Sequence, residues 1–212
     1  KAARSLTIPT VIIGRGSNIL VDDGGFRGFI VKYVNDELPR LDFPYVTVSA
    51  GNELKNFLEW AIDRSLTGLE FLAGIPGTIG GALYMNAGAY GKTIGEILYK
   101  ADIVDETFEL QSVDPDYFEF RYRKSILQKR PVTVISAVLS IANGVEKDIR
   151  LEYQRILAIR AQKHPRPAIP CAGSYFKNLP PARPGENRRP AGYFLEKAGA
   201  KSMKVGDAEV YD

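Results

Sequence analysis

The chain is poor in the residues that usually announce chemistry: one cysteine (Cys171), one histidine (His164), one tryptophan (Trp60) and two methionines. A lone thiol cannot close an internal disulfide, so cysteine usage gives secretion no support. The single histidine precedes Pro165 at the predicted end of a helix, and no G-x-S-x-G elbow is present, so a serine hydrolase is disfavoured. No apolar run reaches the roughly 18 residues needed to cross a membrane. The opening KAARSLTIPT lacks the long apolar stretch of a signal peptide. Charge of one sign is also missing. A net +3 permits an acidic ligand without demanding nucleic acid. A cytoplasmic monomer is expected, with no membrane or nucleic-acid partner and no metal.

What is present is an ordinary globular composition, 45% hydrophobic and 25% charged over 212 residues, enough for one large domain or two modest ones. Short β-branched runs predict strands at Thr10–Gly14, Ile19–Val21, Phe29–Val34 and Tyr45–Ser49, with more strand-rich sequence over Ala101–Val113 and Val132–Ala142. Leu54, Phe57, Leu58, Ala61 and Ile62 recur at helical spacing, so a helix is expected there, with Asn52 as a candidate cap and its end near Arg64. A second amphipathic helix begins at Glu146, with Ile149, Tyr153, Ile156 and Leu157 on one face. A short helix, AGYFLEKA, closes against Gly199. Strands and helices do not alternate regularly, which makes the fold class α+β rather than doubly wound. The expected domain boundary lies at Asn143–Gly144.

Two glycine-rich segments stand out. GRGSN, Gly14–Asn18, follows a strand; its backbone N–H groups can form a nest for phosphate oxygens or simply make a tight turn. GIPGTIGGA, Gly74–Ala82, has so many small residues that either a ligand or a tight core crossover must need its backbone close. NAGAYGKT, Asn86–Thr93, misses the P-loop pattern only at its first position, which raises a nucleotide triphosphatase as a rival; the glycines before it and Gly95 after it argue against that reading.

Two polar segments complete the picture. In FRYRKS, Arg121 and Arg123 share a side if the segment is extended, either gripping an anion or decorating a solvated edge. In GSYFKN, Ser174 sits among basic residues whose field could stabilise an alkoxide, allowing the hydroxyl to deliver a proton. Cys171 reads as a small packed residue and Trp60 as core or rim. Basic residues outnumber acids between Arg160 and Arg189, but no aromatic stacking platform accompanies them, so RNA is not indicated.

Taken in order, GRGSNILV, GGFRG, LEFLAGIPGTIGGALYMNAGAYG, FRYRKS, AGSYFKN and AGYFLEKAG resemble the UDP-N-acetylenolpyruvoylglucosamine reductase family, in its shorter type. The resemblance implies a PCMH-type FAD-binding domain over residues 1–143 and a smaller substrate-binding domain over 144–212. It assigns FAD contacts to Gly14, Arg15, Gly16, Ser17, Asn18 and Ile19, and to Ala73, Gly74, Ile75, Pro76, Gly77, Gly80 and Gly81. Asn86 and Ala89 join the same site. It further implies NADPH as hydride donor, Arg123 and Ser174 as catalytic residues, and Tyr122, Arg123, Lys177 and Asn178 as contacts of an anionic nucleotide-sugar substrate. The expected reaction converts UDP-N-acetylglucosamine enolpyruvate to UDP-N-acetylmuramate in peptidoglycan precursor synthesis.

Relatives of this type are expected to carry an α/β segment ahead of the Val11 strand and a glutamate beyond the VGDAEV block. The alternative is therefore a catalytically impaired flavoprotein fragment that binds nucleotide sugars. Another PCMH-type oxidase or dehydrogenase is a further rival, against which FRYRKS and GSYFKN argue.

Overall fold

A computed structural model describes residues 7–163 and 169–211, which divide into two compact units, 1–163 and 164–212. The helix-end role of His164 lies outside the described residues.

The first unit opens with strand β1 (Thr10–Ile13), paired in parallel with β2 (Phe29–Lys32) so that Thr10 faces Phe29 and Ile13 faces Lys32. The β-branched run Thr10–Gly14 has the composition of a buried strand, yet Ile12, Phe29 and Ile30 are each about half exposed, at 46%, 51% and 55%. The physical reason is coverage. A parallel pair is normally packed on both faces, and among the described residues these side chains stay open to solvent. The predicted strand at Ile19–Val21 does not form; the segment runs irregularly with Leu20 at the surface.

The main sheet is antiparallel and has five strands in the order β3 (Arg40–Asp42), β4 (Tyr45–Ser49), β10 (Thr133–Ser140), β8 (Leu98–Val104), β9 (Leu110–Val113). Alternation decides its buried face. In β4, Val46 and Val48 point into the core while Tyr45, Thr47 and Ser49 are only half-buried. Irregular register at Val134/Ser136 and Val138/Leu139 marks bulges in the central strand.

The helix Leu54–Ile62 buries all five residues that its spacing singles out. Each buried side chain of this size contributes about 1.5–3 kcal/mol relative to exposure. Asn52 does not cap it. The N-cap is Glu53, without a side-chain bond, and the buried Asn52 amide instead donates to the Glu37 carbonyl at 2.7 Å. The first N–H of the helix, Leu54, is satisfied by the Gly77 carbonyl at 3.0 Å, and the Ile79 N–H by the Asn52 carbonyl at 3.0 Å. This reciprocal pair ties the start of one helix to the glycine-rich segment. A second, six-residue helix, Ile79–Tyr84, then lies on β4 and β10, its Gly80 N–H donating to the Ala50 carbonyl at 2.8 Å.

The long helix Glu146–Lys163 belongs to the first compact unit. The helix buries Ile149 and Ile156, packs against the helix Leu54–Ile62 and the 3-10 turn Glu70–Leu72, and its Arg150 bridges Glu146 and Asp63. Just ahead of it, β11 (Ala142–Asn143) pairs with β5 (Leu66–Thr67).

In the second unit the helix Ala191–Lys197 ends before Gly199, whose φ of +83° makes the expected left-handed termination. A two-stranded ribbon follows, β12 (Lys204–Val205) with β13 (Ala208–Glu209). No helix of the described residues is long and apolar enough to cross a membrane.

Candidate functional site: glycine loops and an arginine turn

The two glycine-rich segments meet. A Cβ built on Gly14 would stand 2.5 Å from the Thr78 hydroxyl, and one built on Gly77 would stand 2.9 Å from the Ser17 hydroxyl. Only the absence of a side chain lets these backbones approach so closely. Thr78 is also the N-cap of the helix Ile79–Tyr84, its Oγ1 accepting from the Gly81 N–H at 3.3 Å. Gly16 sits in the left-handed region at φ +73°, with nothing within 4 Å of its ideal Cβ. Among the described residues, the N–H groups of Gly16, Ser17 and Asn18 enter no backbone hydrogen bond of the turn. An open turn presenting successive amides beside a second small-residue loop has the form of an anion nest, and it fits the diphosphate of a dinucleotide cofactor.

The remaining residues of these loops divide by surroundings. Ala73 and Gly77 are buried, Ile75 is half-buried against the core, and Gly74, Pro76, Gly81 and Ile19 are exposed. Arg15 pairs with Glu53 at 3.3 Å. Arg160, on the last turns of the long helix, packs its Cδ and Nε over Gly74, 2.8 Å from where a Cβ would stand. The sequence offered no means of pairing those two residues.

NAGAYGKT does not form a phosphate-binding loop of the P-loop kind. It folds as a tight hairpin, β6 (Gly88–Ala89) with β7 (Lys92–Thr93), whose two central residues, Tyr90 and Gly91, take φ of +54° and +80°. Asn86, 6% exposed and itself at φ +42°, uses both ends of its amide within the protein. Its Nδ2 donates to the Arg121 carbonyl at 3.2 Å, and its Oδ1 accepts from the Gly95 N–H at 3.1 Å. The side chain thereby clamps the hairpin to the arginine segment.

That segment is not extended. Arg121 and Lys124 exchange backbone hydrogen bonds at 3.1 and 3.0 Å, making Tyr122 and Arg123 the centre of a tight turn, with Arg123 at φ +55°. The expected placement of Arg121 and Arg123 on one side of a strand is corrected accordingly: contacts from distant residues override local β propensity. The Arg123 guanidinium donates to the Gly88 carbonyl at 3.0 Å and lies 5.5 Å from the Tyr122 ring centre. The buried Ser125 hydroxyl donates to the Tyr84 carbonyl at 2.7 Å. Gln128 reaches the same carbonyl at 3.0 Å. Thr78, Ser125 and Gln128 are organising residues that sequence reading missed. The one available signal was a hydroxyl followed directly by the apolar pair Ile126–Leu127, which buries the turn's exit.

In the second unit Ser174 and Lys177 are exposed, and Asn178 is half-buried. The Asn178 carbonyl accepts from the Arg188 guanidinium at 3.3 and 2.9 Å. Its side-chain Oδ1 accepts from the Ala191 N–H at 3.2 Å, the first residue of the helix Ala191–Lys197. Leu179 and Arg189 bridge across the loop. Asn178 and Leu179, a few residues after Ser174, are therefore held by the basic loop residues Arg188 and Arg189, which the sequence showed only as a surplus of positive charge. Cys171 is exposed, not packed, and Trp60 lies half-buried under Arg64.

The two glycine loops that meet lie within residues 1–113, which match the FAD binding domain family, and this match defines the class, a FAD-binding flavoprotein domain. Similarity then extends across the whole chain. It is 40% identical to the UDP-N-acetylenolpyruvoylglucosamine reductase of Bacillus velezensis, over 96% of this chain and 65% of that protein. It is 38% identical to that of Solibacter usitatus, over 100% of this chain and 71% of that protein. The crystal structure of UDP-N-acetylenolpyruvylglucosamine reductase (MurB) from Thermus caldophilus matches with a TM-score of 0.78 at 28% identity, covering 98% of this chain and 73% of that one. The chain belongs to the UDP-N-acetylenolpyruvoylglucosamine reductase family. It spans about two thirds of the length of the curated relatives it matches.

Proposed function

We propose that this chain reduces UDP-N-acetylglucosamine enolpyruvate to UDP-N-acetylmuramate, with NADPH as hydride donor, in peptidoglycan precursor synthesis in the cytoplasm. The observation that carries the reading is the arginine turn. A non-glycine residue held at φ +55° by a buried amide clamp and a guanidinium-to-carbonyl bond is costly and must be over-determined by its surroundings, which is typical of functional sites.

FAD, when bound, would accept the hydride of NADPH and supply it to the enol-ether carbon C3. The chain's residues do the rest. The loops Gly14–Ile19 and Ala73–Gly81 bind and orient the cofactor, with Gly16, Ser17 and Asn18 offering amides to its diphosphate. Arg123 faces the negative charge that develops on the substrate carboxylate as C3 is reduced. Its planar fork suits that group, and the bond to Gly88 fixes the plane beforehand, so no reorganisation is needed as the charge appears. Ser174 delivers the proton to C2, and the positive charge of Lys177 and of the basic loop it belongs to stabilises the alkoxide left behind. Tyr122, Lys177 and Asn178 contact the substrate, the Asn178 amide being oriented by the bond from the Ala191 N–H to its Oδ1.

The test is a visible spectrum of the purified protein, taken before and after NADPH and then after anaerobic addition of the enolpyruvyl nucleotide sugar. A flavin spectrum that bleaches and then recovers is the expected result. A flavin that bleaches but does not recover with the sugar would overturn the assignment of substrate.

A further inference from the structure

We propose that Gln128 is the positioning residue for Arg123, fixing the backbone of the arginine in its left-handed conformation; this rests on the reading that Arg123 meets the substrate. Arg123 sits at φ +55°, a region that L residues with long side chains rarely occupy. Several contacts hold the turn around it. The Arg121–Lys124 exchange closes it, Asn86 grips the Arg121 carbonyl, and the Arg123 guanidinium grips Gly88. Within this network it is the Gln128 amide that reaches the main chain of Arg123, its Nε2 donating to the Arg123 carbonyl at 3.2 Å.

The same nitrogen donates to the Tyr84 carbonyl at 3.0 Å. A primary amide has two N–H donors, so one side chain can serve both carbonyls, with the Met85 sulfur a weaker third acceptor at 3.6 Å. Tyr84 is the last residue of the helix Ile79–Tyr84, and its carbonyl is among those a helix end leaves without an internal partner. Gln128 thus turns a helix-end acceptor into a reference point for the arginine. Fixing the Arg123 carbonyl fixes the peptide plane after it, and with it the direction in which the side chain leaves the backbone. Gln128 itself is exposed, so its replacement leaves the core intact. A glutamine serving only as solvated surface has no reason to bring a helix-end carbonyl and a turn carbonyl onto one nitrogen.

The experiment uses the full chain loaded with FAD and compares Gln128→Met and Gln128→Glu with Arg123→Ala. Met keeps the length without a donor, and Glu keeps the shape while facing both carbonyls with acceptors. Expected are unchanged flavin content and bleaching by NADPH within about twofold of the parent. Re-oxidation by UDP-N-acetylglucosamine enolpyruvate should slow by about 10- to 100-fold, the range in which small misplacements of a reacting group act. Gln128→Lys, whose ammonium can donate to both carbonyls, should recover most of the rate. Re-oxidation at the parent rate in both donor-free variants, with Arg123→Ala slow, overturns the proposal while leaving the role of Arg123 standing. Equal loss of flavin content, NADPH bleaching and re-oxidation also overturns it, by showing a general structural role. If Arg123→Ala itself re-oxidises at the parent rate, the functional reading fails first, and the positioning role fails with it.

Discussion

The Arg123 guanidinium donates to the Gly88 carbonyl at 3.0 Å, so a side chain argued to meet the substrate is anchored on the hairpin that follows the glycine-rich segment. Its charge and its plane are set together. Arg123→Ala should leave flavin content and NADPH bleaching intact and slow re-oxidation by the enolpyruvyl sugar by about 10²–10³-fold, the usual cost of removing one preorganised charge-stabilising donor. Arg123→Lys retains the charge but not the planar fork, and should recover only part of that loss. Stopped-flow absorbance of the two half-reactions separates these outcomes.

Gly14 faces Thr78 with no room for a methyl group. Gly14→Ala should push the threonine away from its capping position and lower the flavin-to-protein absorbance ratio of the purified protein. In the double variant Gly14→Ala/Thr78→Ala the clash is relieved, at the cost of a cap worth about 1 kcal/mol. It should retain more flavin than the single Gly14 variant. Strict additivity of the two losses would show that the contact is not the cause.

The buried Asn86 amide holds two backbone groups at once, the Gly95 N–H and the Arg121 carbonyl. Asn86→Ala removes both bonds, although the Arg121 carbonyl keeps the Lys124 N–H, and should cost about 1–3 kcal/mol in urea denaturation. Asn86→Asp keeps the acceptor for Gly95 but loses the donor for Arg121, so it should fall between the two. If the alanine variant melts with the parent's urea midpoint, the clamp contributes nothing.

Asp105 folds back on the β8–β9 hairpin, its Oδ1 accepting from the Thr107 hydroxyl at 2.7 Å, the Thr107 N–H at 2.8 Å and the Glu109 N–H at 3.1 Å. The Thr107 hydroxyl, followed by the Glu109 amide, holds its carboxyl below the ordinary carboxylate range. A carboxyl whose pKa is depressed on folding contributes stability that is present above its unfolded value, near 4, and is lost as pH falls through the folded value. The melting temperature of the parent should therefore exceed that of Asp105→Ala at neutral pH, and the gap should narrow on acidification. A gap that is constant from neutral pH to about pH 3 would refute this.

The elements that could be read in advance are those whose own side chains decide them. The five spaced apolar residues of Leu54–Ile62 and the alternation of Tyr45–Ser49 are both realised, because each pattern already states which face is buried. Ile19–Val21 carries strand-forming residues but, among the described residues, no neighbouring strand receives its hydrogen bonds, and it stays irregular. FRYRKS failed for a different reason: Asn86, Ser125 and Gln128 impose its turn, and the bonds they make cross from one loop to another. The glycine loops were legible as a pair of unusual segments. Their mutual contact through Gly14 and Thr78 was not, because nothing in the composition of one loop specifies the other.

The helix Ile79–Tyr84 begins at the threonine that meets Gly14 and ends at the carbonyl that receives Ser125 and Gln128. Its length is consequently a fixed spacer. Adding or deleting one residue would swing the terminal carbonyl by about 100° around the axis and shift it by about 1.5 Å along it, away from both donors. Point substitutions on the helix's exposed side can accumulate without this consequence. Insertions and deletions between Thr78 and Met85 cannot.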